Sequence, residues 1–173
     1  TTAKISALSS SQIAAIETDD VTALTSAQLN ALTSLQIGNL STDQIQALTD
    51  DQVGYLATSQ IRFLSTTQAG ALSSSQIKAM SSSQIAAMSA AQLSNLDSDT
   101  IQAMESTAIS ALTTSQIRGL TTGFIDALTS DQVQLLDSDQ IAALTCTQIN
   151  ALDTDDIGGL STEQIAGMTT YQL

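Results

Sequence analysis

Residues 25–48 read TSAQLNAL, TSLQIGNL and STDQIQAL, three copies of one eight-residue unit. Written [T/S]-[T/S]-x-Q-[I/V/L]-x-A-L, the unit runs from Thr1 to Leu173 without insertion or deletion, giving twenty-one full octads and five residues of another. A fixed short period of this kind decides the architecture before any residue-level reading does. The fifth position is Ile, Val or Leu in every octad except at Ala69, and the eighth is always Leu, Ile or Met. Large apolar residues are therefore spaced three, then five, then three.

Both spacings are odd, whereas one face of a straight strand needs even ones. A continuous helix is no better. Eight residues turn about 800°, so an apolar stripe would drift about 80° per octad and circle the helix. The breaker is Ser/Thr at the first position with Gln at the fourth, the pattern of a capping box. Gln fills that position sixteen times. Each octad then starts a new helix of about seven residues, with Ile and Leu on one side. Such a helix is too short to stand alone. Burying one Ile and one Leu gains about 3–6 kcal/mol, while ordering eight residues costs about 1–2 kcal/mol each. Only stacking on neighbours closes that gap, which is the logic of a solenoid. The expected fold is all-α: a superhelix of short capped helices, one per eight-residue repeat. It has about twenty-two segments, two or three per turn, around one Ile/Leu/Met core. The rival is a β-solenoid with sixteen-residue coils. Gln, Ala, Leu and Met favour the helix, and fixed Gly/Asn corners are missing.

The whole of residues 1–173 reads as a single solenoid, either a window of a longer array or a filament subunit, because neither end carries an atypical polar capping repeat. The section 97–128 is the least regular. Thr100, Ala108 and Phe124 stand where Gln is expected, and Glu105 sits at a cap. If the superhelix bends or carries a site, this is the place for it. Gln68-Ala69-Gly70 is the thinnest point of the core. Tyr55 and Phe63, at a position usually Ala, are expected to fill a local gap, and Met80 and Met88 to serve as core. Leu40 should be buried, which argues against use of the sequon Asn39-Leu40-Ser41.

Net charge is −13, and all the carboxylates but Asp126 fall at octad positions one to four. Negative charge near a helix N-terminus is favourable by about 0.3–1 kcal/mol, so the acidity is mostly helix-end chemistry. An acidic surface repels nucleic acid and anionic membrane. No apolar run reaches the roughly 20 residues of a membrane span. There is no His, Cys146 has no partner base, and phosphate-loop and dinucleotide fingerprints are absent. The expectation is a protein that is not an enzyme, with no catalytic, cofactor-binding or metal residues. Weak surface calcium has its best candidates in Asp97-Ser98-Asp99, Asp137-Ser138-Asp139 and Asp153-Thr154-Asp155-Asp156, which offer closely spaced hard oxygens. These residues equally suit helix caps. Cys146 replaces a surface Ser/Thr, and a cross-link to a neighbouring molecule is the sharper reading of it.

Runs such as TSDQVQLLDSDQIAALTCTQINAL, Thr129–Leu152, resemble the tandem octapeptide arrays of very large secreted or surface proteins of Gram-negative bacteria, often described as haem-utilisation or adhesion proteins. The resemblance covers the whole chain. It implies an extracellular or cell-surface adhesin, stalk or filament; the absence of His gives the haem label no support. Two functions follow as expectations. The first is a structural spacer or filament that self-associates end to end or laterally, with no nucleic acid and no membrane insertion. The second is a binding module whose Ser/Thr rows engage a repetitive ligand such as polysaccharide or ice.

Overall fold

A computed structural model describes all 173 residues. The chain forms twenty-one helices, α1 (Thr2–Ser6) to α21 (Thr162–Gly167), one per octad, and ends in a turn. No strand is present, which removes the sixteen-residue β-coil. The helices are shorter than seven residues. Representative lengths are six in α4 (Ser26–Ala31), five in α5 (Ser34–Gly38) and four in α12 (Ala90–Leu93). The reason lies in the eighth residue. Its N–H closes a tight bond to the fifth carbonyl, as in Leu56 to Val53 (3.1 Å), and its own backbone is extended (Leu56 φ −62, ψ 135). The cap that follows is extended too, as at Thr49 (φ −69, ψ 160). Two extended residues re-aim the chain once per octad, so no helix can continue into the next.

The caps form as the sequence demands. In the octad Thr49–Leu56 the Thr49 hydroxyl accepts the Gln52 N–H at 3.2 Å, and Gln52 Oε1 accepts the Thr49 N–H at 2.9 Å. Ala57 has no side-chain acceptor, so there only the second half survives, with Ala57 N–H to Gln60 Oε1 at 2.8 Å. Such a cap is worth about 1 kcal/mol.

Each helix packs against the third one along: α1 on α4, α4 on α7 (Asp50–Tyr55), α7 on α10 (Ser74–Ala79), and so on to α18 (Ser138–Ala143) on α21. Polar bonds reach farther, to residues 28 and 31 positions back, as from Gln84 to Leu56 and Val53. One superhelical turn therefore takes more than three octads and fewer than four, slightly above the expected two or three. The fifth-position residues, such as Ile37, Ile45, Ile61 and Ile85, are fully buried between turns, and the eighth-position residues close the same core. Ala69, Met80 and Met88 lie in it, as does Leu40 of the sequon. Tyr55 and Phe63 do not: they are 55% and 51% exposed. The seventh position sits on the flank of the covered strip, so a larger side chain there goes outward instead of filling a gap. No helix is long and apolar enough to cross a membrane.

What holds one turn on the next is the other end of the Gln amide. From Gln36 onward, each Gln of the column donates through Nε2 to the fifth and eighth carbonyls of the octad four back. Gln60 reaches Leu29 (2.8 Å) and Leu32 (2.9 Å), Gln92 reaches Ile61 (3.0 Å) and Leu64 (2.7 Å), and Gln148 reaches Ile117 and Leu120 (both 2.8 Å). The eighth carbonyl is a helix-end acceptor with no intrahelical partner. A buried acceptor left unpaired costs about 1–3 kcal/mol. Gln84→Ala should therefore cost about 2–4 kcal/mol, since it loses half a capping box and strands the Leu56 carbonyl. Gln12→Ala, in the first turn, loses only the cap half and should cost about 1 kcal/mol or less. Urea unfolding followed by circular dichroism compares the two; equal losses would mean that the inter-turn bonds contribute nothing.

Candidate functional site

The section 97–128, a little over one turn, is where the Gln column fails. Offsets of 31 and 28 residues place Thr100 over the Ala69 and Leu72 carbonyls, Ala108 over Ile77 and Met80, and Phe124 over Leu93 and Leu96. None of the three has an amide to offer. Gln116 is the one Gln that clamps this turn to the one before it, through Ile85 (2.9 Å) and Met88 (2.8 Å). The substitutes fill space without replacing the bonds. Phe124 is 1% exposed and lies in the core. The Thr121 N–H, deprived of a Gln oxygen, donates instead to Ser94 Oγ at 3.0 Å. Thr100 is buried, its hydroxyl 3.5 Å from Ser74 Oγ.

Where Thr100 is too short, an open groove of about 400 Å³ remains, lined by Gln46, Gly70, Leu72, Ser73, Asp97 and Thr100 among others. Gly70 is required in its wall. A Cβ there would stand 2.6 Å from the Asn95 carbonyl oxygen, and Asn95 is itself anchored by its Nδ2 donating to the Thr66 carbonyl at 2.8 Å. The groove is rich in acceptors, namely the Leu72 carbonyl and the carboxylates of Asp97 and Asp99. The Asp97 carboxyl is held below the usual aspartate range by the Thr100 hydroxyl and by the Thr100 N–H, which donates at 2.7 Å.

The acidic triplets resolve as caps. Asp97, Asp137 and Asp153 accept the N–H groups of Thr100 (2.7 Å), Gln140 (2.8 Å) and Asp156 (2.8 Å). No three His, Cys, Asp or Glu side chains converge on one point. Cys146 is exposed, with Sγ 2.9 Å from the Tyr171 carbonyl oxygen. The sequence flags the irregular turn but hides its consequence, because the partners of residue 100 are chosen by the superhelical pitch.

Two outcomes test this account. Thr100→Gln should fill the groove, accept the Asp97 N–H as Gln140 accepts that of Asp137 (2.8 Å), and reach the Ala69 and Leu72 carbonyls. It should raise the unfolding free energy by about 0.5–1.5 kcal/mol in urea titration, and a neutral or destabilising result would refute it. The second concerns pH. A carboxyl with a lowered folded value stabilises fully above the unfolded aspartate range, and the contribution fades as pH falls through the lowered value. In an acid titration of stability, Asp97→Ser should be less acid-sensitive than the parent across that window, because its cap does not titrate. Superimposable curves would remove Asp97 from the account.

The ALTTAQ repeat family model matches residues 13–50, 25–58, 50–82, 101–138, 109–146 and 136–170, most of the chain and in tandem. A search of curated proteins finds no match. The matches run over 13–82 and 101–170, so they take in all of the irregular section 97–128 but its first four residues. The chain belongs to the ALTTAQ repeat family.

Proposed function

We propose that this chain is a structural repeat protein of the bacterial exterior: a rigid spacer, stalk or filament section with an adhesion or matrix role and no catalytic activity. The observation that supports the reading is where the recurring residues go. The Gln amide ties cap to previous turn, the first-position Ser/Thr accepts its own helix N–H, and the fifth and eighth residues form one core cluster from Ile13 to Leu160. Nearly every recurring side chain is engaged in continuing the array. An object whose parts all serve its own extension is suited to spanning distance. Its outer face carries the second-position hydroxyls and the acidic residues, and net charge −13 favours solubility in a long, exposed rod.

The alternative reading, a Ser/Thr surface for polysaccharide or ice, draws less support. First-position hydroxyls such as Ser41 and Thr49 accept the Gln44 and Gln52 N–H groups (3.1 and 3.2 Å) and so face their own helices. The second-position row is itself partly engaged, with Ser34 and Ser82 donating to the Ser59 and Thr107 carbonyls (3.4 and 3.3 Å).

The test is shape. Small-angle scattering of the full chain and of a version shortened by whole turns should give rods of equal cross-section whose lengths scale with octad number. Surface labelling of intact cells of the source organism should detect the chain without permeabilisation. Compact particles of unchanging shape, or labelling only after permeabilisation, would refute the proposal.

A further inference from the structure

The Gln carboxamide that Thr100 replaces has partners on two turns, and they outlast its loss. One octad earlier, Gln92 Oε1 accepts the Ser89 N–H at 2.6 Å, while its Nε2 donates to the Ile61 and Leu64 carbonyls at 3.0 and 2.7 Å. Around residue 100 the equivalent groups are the Asp97 N–H and the Ala69 and Leu72 carbonyls. Ala69 already accepts the Leu72 N–H at 3.1 Å. The Asp97 N–H and the Leu72 carbonyl have no partner in the protein, and both residues line the open groove. The groove therefore holds one donor and one acceptor set apart by the span of a single planar amide. The other two irregular positions differ. Phe124 fills its place with a buried ring, and the Thr121 N–H there takes Ser94 Oγ at 3.0 Å. Ala108 leaves the Glu105 N–H and the Met80 carbonyl unpaired, but no hollow opens beside it. Only at Thr100 do the unpaired groups coincide with room for a ligand. Its volume of about 400 Å³ lies within the roughly 300–1,000 Å³ of small-molecule sites.

We propose that this groove binds an uncharged N-acetyl amino sugar, whose acetamido group takes the place of the carboxamide. The acetamido oxygen accepts the Asp97 N–H, and the acetamido N–H donates to the Leu72 carbonyl. One N–H is enough, because the Ala69 carbonyl is already bonded. The rest of the lining suits a sugar ring. Gln46 and Ser74 offer polar groups at the sides, and the carboxylates of Asp97 and Asp99 accept ring hydroxyls through the stronger, charge-assisted kind of hydrogen bond. The same carboxylates repel acidic sugars, so the ligand is neutral. A peptide carrying Gln or Asn offers the same two amide atoms. It suits the groove less well, because Ala71 and Leu72 are the only apolar side chains in the lining and give a peptide little surface to bury. Such a site suits a spacer and any other repeat protein alike, so it does not rest on the structural reading above.

Titration of the isotope-labelled 173-residue chain with diacetylchitobiose, followed by amide nuclear magnetic resonance, tests this. A saturable shift is expected, largest at the Asp97 amide, with half-saturation at about 1 mM, the strength of a few hydrogen bonds in an open site. Cellobiose has the same linkage without the acetamido groups, and the deacetylated chitobiose has ammonium groups in their place. Both should bind at least about tenfold more weakly. Thr100→Gln supplies the carboxamide from the chain itself, and should keep the helical spectrum while losing the shift. No saturable shift in the parent chain would overturn the proposal, and this result stands whether or not the variant folds. Undiminished binding by a folded Thr100→Gln would overturn it too. Tighter binding of the deacetylated sugar would do the same, by showing that the carboxylates merely attract cations. So would a response to a glutamine-containing peptide that diacetylchitobiose does not match, since the amide would then belong to a protein partner. None of these results bears on the rod shape by which the spacer reading is judged.

Discussion

One carboxamide does two jobs at once. A helix of five or six residues is nearly all ends, and helix ends leave backbone N–H and C=O groups without partners. Gln84 answers both problems with a single side chain. Its Oε1 accepts the Ser81 N–H at 2.7 Å, and its Nε2 donates to the Val53 and Leu56 carbonyls at 2.9 and 2.8 Å. The amide thus closes the N-terminus of its own helix and the C-terminus of another helix one turn earlier. Its acceptor and its two donor hydrogens are all used, and no buried side-chain polar atom of the protein is left unpaired.

That double use explains the residue type. Glu would keep the capping oxygen and lose the donor, bringing negative charge to two carbonyls. Asn is one methylene shorter. Asp156 shows what a partial substitute achieves: it accepts the Asp153 N–H at 3.1 Å and offers nothing to the turn below. The requirement also explains why the period tolerates no insertion. A single added residue would move every later amide off its carbonyls and every later Ile out of the interface together. Polar register and apolar register are the same register, so neither can drift without the other.

The fold was legible because its local half is written in adjacent residues. Cap, Gln, Ile and Leu fall within eight positions, and odd apolar spacing excluded the single strand. The inter-turn half was not legible. Gln already has a complete reason to be present in the capping box, so nothing in the sequence signals that its nitrogen is also needed 28 and 31 residues away. That information enters only with the superhelical pitch, which depends on how two extended residues re-aim each helix. The same limit explains Tyr55 and Phe63. Reading them as gap-fillers assumed that the seventh position faces inward, and its true direction is set by the turn packed alongside. It also explains the section 97–128, whose irregularity at Thr100, Ala108 and Phe124 is plain in the sequence. That these three belong to one interface is a consequence of a turn holding between three and four octads.

The irregular turn then acquires a mechanical meaning. In a quasi-one-dimensional protein, stability is a sum of local terms and nearest-turn couplings, so one weakly coupled interface dilutes into no global average. It stays a local weakness, and openings concentrate where the coupling is smallest. Across most interfaces several Gln clamps act in parallel, and losing one leaves its neighbours holding. Between the turn containing Thr100, Ala108 and Phe124 and the turn before it, Gln116 is the one such clamp, beside hydroxyl contacts such as Thr121 N–H to Ser94 Oγ at 3.0 Å and Ser82 Oγ to the Thr107 carbonyl at 3.3 Å. Apolar packing resists separation but is non-directional, whereas a carboxamide bonded to two fixed carbonyls resists sliding and twist. An interface held mainly by packing can therefore shear while remaining closed. The Gln ladder thus runs on both sides of one interface that carries fewer of its bonds.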